Sequence, residues 1–547
     1  MERLTLFCTL FCFLLATPQA QPKYELRAVW LTTIGGIDWP STYAHDGMGA
    51  ERQKQELCLM LDRMKSAGIN TVLLQTRVRA TTIYPSNIEP WDGCMSGKPG
   101  QSPGYDPLQF AIDECHRRGM ELHAWVVTIP VGKWQSFGCQ QLRRRFPSLI
   151  KKIGDEGYMN PESAQTADYI ADICEEITRR YDVDGIHLDY IRYPETWKGA
   201  KRKDNITRIV QRIHQKVKLY KPWVKLSCSP IGKYDDLSRY SSRGWNANRQ
   251  VAQDAQGWLR QGLMDQLYPM MYFKGNNFYP FAIDWQEQSC GHTIASGLGV
   301  YMLHPREGNW PLNEVKRQLN VTRQVGMGHC FFRAKFLLDN VKGVYDYVGL
   351  FDRMPALIPP MTWANIVPPT SPTVLNVEHT PSGDNLSWHG ARDYSDAPYL
   401  LYNVYASTDE KVDISNPANL IATRKREQQL TLKRKNGKRL LHYAVTALDR
   451  YGNESMPVFA AQGGQQSAER ASAMLANDGK WLDLTMTTDA DYLAVSTLQG
   501  AIIHTCPNRP RISITAIPEG IYELKSLNRK GISHRLGFFI VRRGDIK

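Results

Sequence analysis

Between residue 25 and about residue 350, short apolar runs alternate with longer stretches in which apolar residues recur every three or four positions. The first pattern belongs to strands buried on both faces and the second to amphipathic helices. Eight such runs are present: RAVWLTT (27–33), NTVLLQT (70–76), ELHAWVV (121–127), DGIHLDY (184–190), KLSCSP (225–230), DQLYPMMY (265–272), IASGLGVYM (294–302) and GHCFFRA (328–334). Helical periodicity fills the gaps, for example over 51–67, 107–118 and 164–181. Eight strands with helical connections predict an α/β fold, a closed (β/α)8 TIM barrel over 25–357, in preference to an open doubly wound sheet.

Beyond residue 350 the pattern changes. The segment IPPMTWANIVPPTSP (358–372) reads as a stiff proline-rich linker that few contacts should cross, so the barrel is expected to be separable there. Over 373–465 strands alternate without helices, and Trp388 in NLSWHG, Tyr402 and Tyr405 in YNVYAS, Tyr443 in HYAVTALD and the turn DRYGNES resemble a fibronectin type III module, which implies a β-sandwich. The last region, 478–547, holds further short strands and implies a small C-terminal β domain. Its run ITAIPEGIYELKSLNRKGISHRLGFFIVRR resembles the C-terminal sorting sandwich of some bacterial secretion systems, and a plain accessory sandwich is the equal alternative.

The N-terminus changes the cellular picture. Arg3, an apolar run to Ala16 and a small residue at Ala20 predict a secretory signal over 1–20, hence a secreted, periplasmic or cell-surface protein. No stretch of ~20 uninterrupted apolar residues predicts a membrane span. Of eleven cysteines, nine follow the signal, and Cys94 and Cys139, both in Gly-rich polar loops, are expected to form a disulfide in an exported chain. With no CxxC or HxH pattern, neither metal nor cofactor is expected. The net charge of +13 is concentrated at Arg143, Arg144, Arg145, Lys151 and Lys152, and at Lys198, Lys201, Arg202 and Lys203. Such clusters are a solvated surface or an attraction for an anionic polymer, and export argues against nucleic acid. Oligomeric state is left open.

In a (β/α)8 barrel the chemistry gathers at the C-terminal ends of the strands. Asp184 stands at the start of the fourth predicted strand and Asp189 at its end, with His187 on the same side by two-residue alternation. Asp189 is therefore the first catalytic candidate. Cleavage through an oxocarbenium-like transition state needs a second carboxylate. Glu195, Glu307 and Asp38 are the alternatives, each in a loop after a strand. Trp39, Trp125, Tyr190 and Tyr272 are candidate sugar-stacking rings, and Arg77, Arg79 and Arg192 are candidates to bind substrate or to orient Asp189.

Five ordered blocks carry a wider resemblance: RAVWLTT, GINTVLLQTRVRATTIYPSNIEPW, LHAWVVT, YMNPESAQTADYIADICEEITRRYDVDGIHLDYIRYP and MDQLYPMMY. Together they resemble the bacterial glycosyl hydrolase-like 10 family. The resemblance implies a (β/α)8 barrel and a glycosidase-type role in the envelope, one branch being associated with peptidoglycan strands stripped of peptides. Many members read DGIHLDDYFYP here, where this chain has Tyr190 in place of a second Asp. A chitinase-like DGxDxDxE reading fails, because His187 replaces the middle Asp and Ile191 the Glu. The expectation is an exported glycoside hydrolase acting on an envelope or environmental polysaccharide; the alternative is an inactive carbohydrate-binding or scaffolding barrel.

Overall fold

The structure, a computed structural model, describes residues 21–238, 240, 244–433, 441–460, 480–484, 490–498, 501–527 and 533–541. The secretory signal expected over 1–20 lies outside the described residues.

Eight parallel strands close a barrel in the order β1-β11-β10-β9-β8-β7-β3-β2. They are β1 (Arg27–Leu31), β2 (Thr71–Arg77), β3 (Glu121–Val127), β7 (Gly185–Asp189), β8 (Lys225–Cys228), β9 (Gln266–Leu267), β10 (Thr293–Leu298) and β11 (Gly328–Phe331). All eight runs read from the sequence are barrel strands. The sixth is shorter than expected, because Pro269 offers no backbone donor; Met270 rejoins the sheet only as single bridges to Ile231 and Gly297. Between β3 and the helix Ala164–Arg180 the chain inserts a small sheet, β4 (Pro130–Lys133), β5 (Ile150–Ile153) and β6 (Glu156–Met159), with the helix Phe137–Arg145.

Two-residue alternation divides the strand residues between two cores. Ile186 and Leu188 of β7 face outward into the large cluster shared with the helices, while Trp30, Leu73, Trp125, Val127, Tyr268, Ala295 and Cys330 fill the barrel interior.

Two sets of antiparallel strands follow. In the first, β12 (Leu375–Thr380), β13 (Gly383–Trp388) and β16 (Gln429–Lys433) form one sheet, and β14 (Leu401–Ser407), β15 (Leu420–Lys425), β17 (His442–Leu448) and β18 (Val458–Phe459) form the other, in the order β15-β14-β17-β18. Leu386, Trp388, Tyr402, Val404, Tyr443 and Val445 share one core. In the second, β19 (Trp481–Asp483) pairs β22 (Arg511–Ser513), and β20 (Tyr492–Thr497), β21 (Ile502–Pro507), β23 (Gly520–Leu527) and β24 (Ser533–Val541) form a four-stranded sheet, again over a small apolar core.

The proline-rich segment is not the spacer that its composition predicts. Ile358 packs into the barrel-interior cluster, Met361 is fully buried in the main core, and Trp363 Nε1 donates to Asp265 at 2.9 Å. At the N-terminal end of the barrel, Arg424 of β15 donates to Glu121 at 2.9 Å and to Asp184 at 2.6 Å, and Arg450 reaches Asp182 at 2.8 Å and Asp184 at 3.3 Å. Lys225 completes the set, 2.7 Å from Glu121. Burial by itself would raise the Glu121 carboxyl, but the facing Lys225 and Arg424 hold it down at about 2. Arg424 adopts a left-handed backbone, φ +53°, beside an irregularity in the β14–β15 pairing. Few side chains besides glycine tolerate that conformation, so the sandwich delivers this guanidinium to the barrel at a local backbone cost.

The expected Cys94–Cys139 bridge is also absent. Each lies in a short helix, Gly93–Ser96 and Phe137–Arg145, and both thiols are free and buried. The glycine-rich wording of those segments concealed two helical turns that tuck their cysteines inward, where they behave as small apolar side chains.

Candidate active site

On β7 the inward positions are His187 and, one layer nearer the C-terminal end, Asp189. His187 is fully buried. Its Nε2 accepts from the Trp30 indole N–H at 3.2 Å, so the ring proton sits on Nδ1 and is directed at Ser227 Oγ, 3.0 Å away. Burial, with His123 nearby, holds the His187 pKa well below the usual value, so this layer is a neutral aromatic floor of Trp30, His187 and Tyr268.

Asp189 rests on that floor. Its Oδ1 accepts from Ser229 Oγ at 2.9 Å and from the Tyr190 backbone N–H at 2.8 Å, and its Oδ2 accepts from Trp125 Nε1 at 3.2 Å. The strand end is pinned as well: Thr128 donates its N–H and its hydroxyl to the Asp189 carbonyl, at 2.9 and 2.8 Å. Burial raises the carboxyl above the ordinary Asp range, against the opposing pull of Arg192, Ser229, the Tyr190 N–H and Trp125. A carboxyl whose pKa is raised by burial at the mouth of a barrel holds its proton more readily than a solvated Asp, which suits it to the part of a general acid.

The sequence candidates separate into two groups. Trp125, Tyr190, Arg192 and Tyr272 gather around Asp189. Tyr190, whose N–H donates to Asp189, is 38% exposed and holds φ +54°, a conformation unusual for a bulky residue. Arg192 lies over the Tyr190 ring, 4.0 Å from its centroid, and its Nη2 donates to Glu195 Oε1 at 3.1 Å. Its Nε and Nη1 are buried without a hydrogen-bond partner among the described residues. Tyr272 stacks on Phe332 at 5.2 Å and meets Tyr301 edge-on at 5.7 Å, forming an aromatic wall. Glu195 is exposed in the loop after β7, and Arg79 is exposed after β2, its side chain close to Gly132 of the inserted sheet. Both act electrostatically on Tyr190, so they belong to the same rim.

The remaining candidates are held elsewhere. Trp39 is fully buried and spends its indole N–H on the Gln53 carbonyl at 2.9 Å, which makes it core and not a sugar platform. Arg77 is fully buried in a two-pronged pair with Glu89, at 2.8 and 2.7 Å, and braces the carbonyls of Val127 and Thr128. It is structural and reaches neither Asp189 nor solvent. Asp38 is committed to the Thr32 N–H and hydroxyl, the Lys335 N–H and Arg333, with no exposed side-chain surface. Glu307 is exposed in the loop after β10 and makes itself felt at Tyr301.

Ser227 and Ser229 were not singled out in the sequence. Their signal was available in KLSCSP: they share parity, so both face the interior if either does. One grouping of buried His and carboxylate side chains, Glu25, His329 and Asp352, lies at the opposite end of the barrel, where Arg27 and Arg323 already neutralise its acids.

The glycosyl hydrolase-like 10 profile matches residues 25–201 and 191–301. The chain belongs to the glycosyl hydrolase-like 10 family. It is similar to the glycosyl hydrolase YngK of Bacillus subtilis (strain 168), 28% identical over 492 residues, covering 81% of this chain and 95% of that one. It is likewise similar to the glycosyl hydrolase DigH of Escherichia coli (strain K12), 30% identical over 376 residues, 59% of this chain and 85% of that one. Among solved structures, the glycoside hydrolase domain of PgaB (BpsB) from Bordetella bronchiseptica aligns with 59% of this chain and 98% of its own length, at 12% identity and a TM-score of 0.42.

Proposed function

We propose that this member of the family is an exported hydrolase of O-glycosidic bonds in an envelope or environmental polysaccharide, with Asp189 as its proton-donating acid. The observation that carries the reading is the environment of that carboxyl: buried at the C-terminal end of β7, raised in pKa and held in one orientation by Trp125, Ser229 and the Tyr190 N–H. In the proposed step the Asp189 proton passes to the glycosidic oxygen as the bond from that oxygen to the anomeric carbon breaks, and positive charge develops on the sugar ring. Glu195, held by Arg192 on the same loop, is the partner carboxylate that supports this charge or activates the incoming water. Tyr190 and the Tyr272–Phe332 wall would pack against the apolar faces of sugars. The two relatives, both named glycosyl hydrolases, support the reaction class. The apolar run near Arg3 supports export, and the three- and four-stranded sheets after the barrel support a fibronectin type III-like supporting module.

Reducing-end release from a panel of purified polysaccharides and their oligosaccharides tests the proposal. Release by the wild type that is lost in Asp189→Asn is the expected result. A wild type that releases no sugar from any member of the panel, while still binding some, would make it a binding protein instead.

A further inference from the structure

The charges at the barrel mouth are sorted by strand. The connections that follow β3 and β7 hold ten basic residues against four acidic ones: Lys133, Arg143, Arg144, Arg145, Lys151 and Lys152 with three acids over 128–163, and Arg192, Lys198, Lys201 and Arg202 with Glu195 over 190–202. The connections after the other six barrel strands hold nine basic and nine acidic residues in all. The whole positive bias of the mouth therefore stands on one wall, and that wall is built on the two neighbouring strands that carry Trp125 and Asp189.

These cations are not balanced locally. Among the described residues, only Arg192 of the ten forms an ion pair, with Glu195. Lys133, Arg144, Arg145, Lys151, Lys152, Lys198 and Arg202 are exposed. Arg143 and Lys152 both stack on Trp134, at 3.8 and 5.5 Å from its ring, which fixes two charges on the inserted sheet without neutralising them. The track ends at Arg192, 4% exposed and beside Asp189, with two guanidinium nitrogens that have no acceptor. Like charges crowded without counter-ions cost stability, and a field of one sign beside a cleft concentrates ligands of the other sign.

We infer that the β3 and β7 connections form a binding wall for an anionic polysaccharide, one that carries carboxylate or comparable charges at intervals along its chain and lies across the mouth toward Arg192. The inference rests on the proposed function for what happens to the chain once bound, but binding by the wall is a separate property. The repeated charges settle on the exposed Lys and Arg of the wall, and the exit side beyond Tyr272 and Tyr301 contributes aromatic contacts and little charge.

Polygalacturonate serves as the anionic probe and dextran of similar length as the neutral one, with binding to the full chain measured at ~0.01 M and at ~1 M salt, where the screening length falls from ~30 Å to ~3 Å. The double variants Lys151→Glu/Lys152→Glu and Lys198→Glu/Arg202→Glu reverse exposed charges outside the catalytic machinery, and Arg353→Glu, exposed at the other end of the barrel, is the control. The expected result is salt-sensitive binding of polygalacturonate, at least ~10-fold weaker in each double variant and unchanged in the control, with dextran bound weakly throughout. Polygalacturonate binding that stays within twofold in both double variants overturns the inference, as does dextran bound as tightly as polygalacturonate. A DNA duplex bound more tightly than polygalacturonate, through the same residues, would reassign the wall to nucleic acid. Should the wall bind polygalacturonate as expected while no glycan is ever cleaved, the wall stands and the hydrolase reading falls.

Discussion

The indole of Trp125 donates to Asp189 Oδ2 across 3.2 Å, joining the C-terminal ends of β3 and β7 through side chains as well as through the backbone ladder. Trp125→Phe keeps the ring and removes the donor. As Asp189 gives up its proton the acceptor becomes charged, and a hydrogen bond to a charged group contributes ~1.5–3 kcal/mol, so its loss is expected to lower kcat by about tenfold or more. Phe is smaller than Trp and leaves a void in the barrel interior that costs about 1 kcal/mol, which a fold of this size should tolerate. Steady-state kinetics on a cleaved glycan check this, with a near-unchanged melting temperature as the control. An unaltered kcat would mean that the orientation of Asp189 does not depend on β3.

Arg192 lowers the Asp189 pKa, while burial raises it by more. If protonated Asp189 is the active form, activity falls as pH rises through that pKa. Arg192→Gln removes the nearby positive charge and leaves burial in place, so the carboxyl holds its proton to higher pH. The alkaline limb associated with Asp189 should move upward by ~1 unit. A pH profile of kcat/KM in the two proteins reads the shift directly. A limb that moves downward would assign the proton donor to another group.

Truncation near residue 357 was expected to leave a stable barrel, and the contacts at its N-terminal end reverse that expectation. A chain ending there loses Arg424 and Arg450, the partners of Glu121, Asp182 and Asp184, and also loses Ile358 and Met361, which leaves their places in the barrel cores unfilled. Arg424→Met keeps most of the bulk and leaves Glu121 and Asp184 short of one cation. Breaking a buried pair in this way costs about 3 kcal/mol. Glu121 also sets an acid dependence. Its folded pKa of about 2 lies below the unfolded value of ~4.3, so its contribution is present above that unfolded value and is lost as pH falls toward 2. Denaturant unfolding of wild type and Arg424→Met at pH 7, and of Glu121→Gln between pH 5 and 2, checks both statements. A soluble chain ending at residue 357 with wild-type stability would restore the barrel as an independent unit.

The sequence was legible where local periodicity decides structure. Buried parallel strands are apolar on both faces, so all eight barrel strands were visible, and the end of the fourth placed Asp189 at the mouth. The parity of residues along that strand also put His187 below Asp189, as observed. It was not legible where distant segments decide. Arg77 looked like a free cation at a strand end because nothing local indicates that Glu89, on the following loop, turns back to pair with it. Trp39 looked like a loop aromatic because its burial depends on Gln53 in the next helix. The segment 358–372 had the composition of a linker, but the reason it is anchored lies in Asp265 and in the barrel interior, far away in the chain.

The assignment of the acids is decided by three substitutions made side by side. Asp189→Asn preserves shape and removes the transferable proton, and Ser229 and the Tyr190 N–H, which share Oδ1, can still hold the amide oxygen, while the Trp125 N–H loses its acceptor. A group that acts only in the transition state lowers turnover and leaves ground-state binding nearly intact, so kcat should fall by at least ~100-fold with little change in affinity. Glu195→Gln should show a comparable loss, because Glu195 is drawn to Arg192 on the loop that Asp189 begins. Glu307→Gln should change kcat by less than ~3-fold, since a solvated rim acid contributes little to a remote transition state; it stands in the loop after β10, on the Tyr301 side of the mouth. Equilibrium binding of a non-cleaved oligosaccharide, measured beside single-turnover rates, separates the two effects. A large loss in Glu307→Gln with none in Glu195→Gln would place the partner acid across the cleft from the β7 loop. Wild-type turnover by Asp189→Asn would leave that carboxyl as a structural strand end and move the chemistry to a different strand.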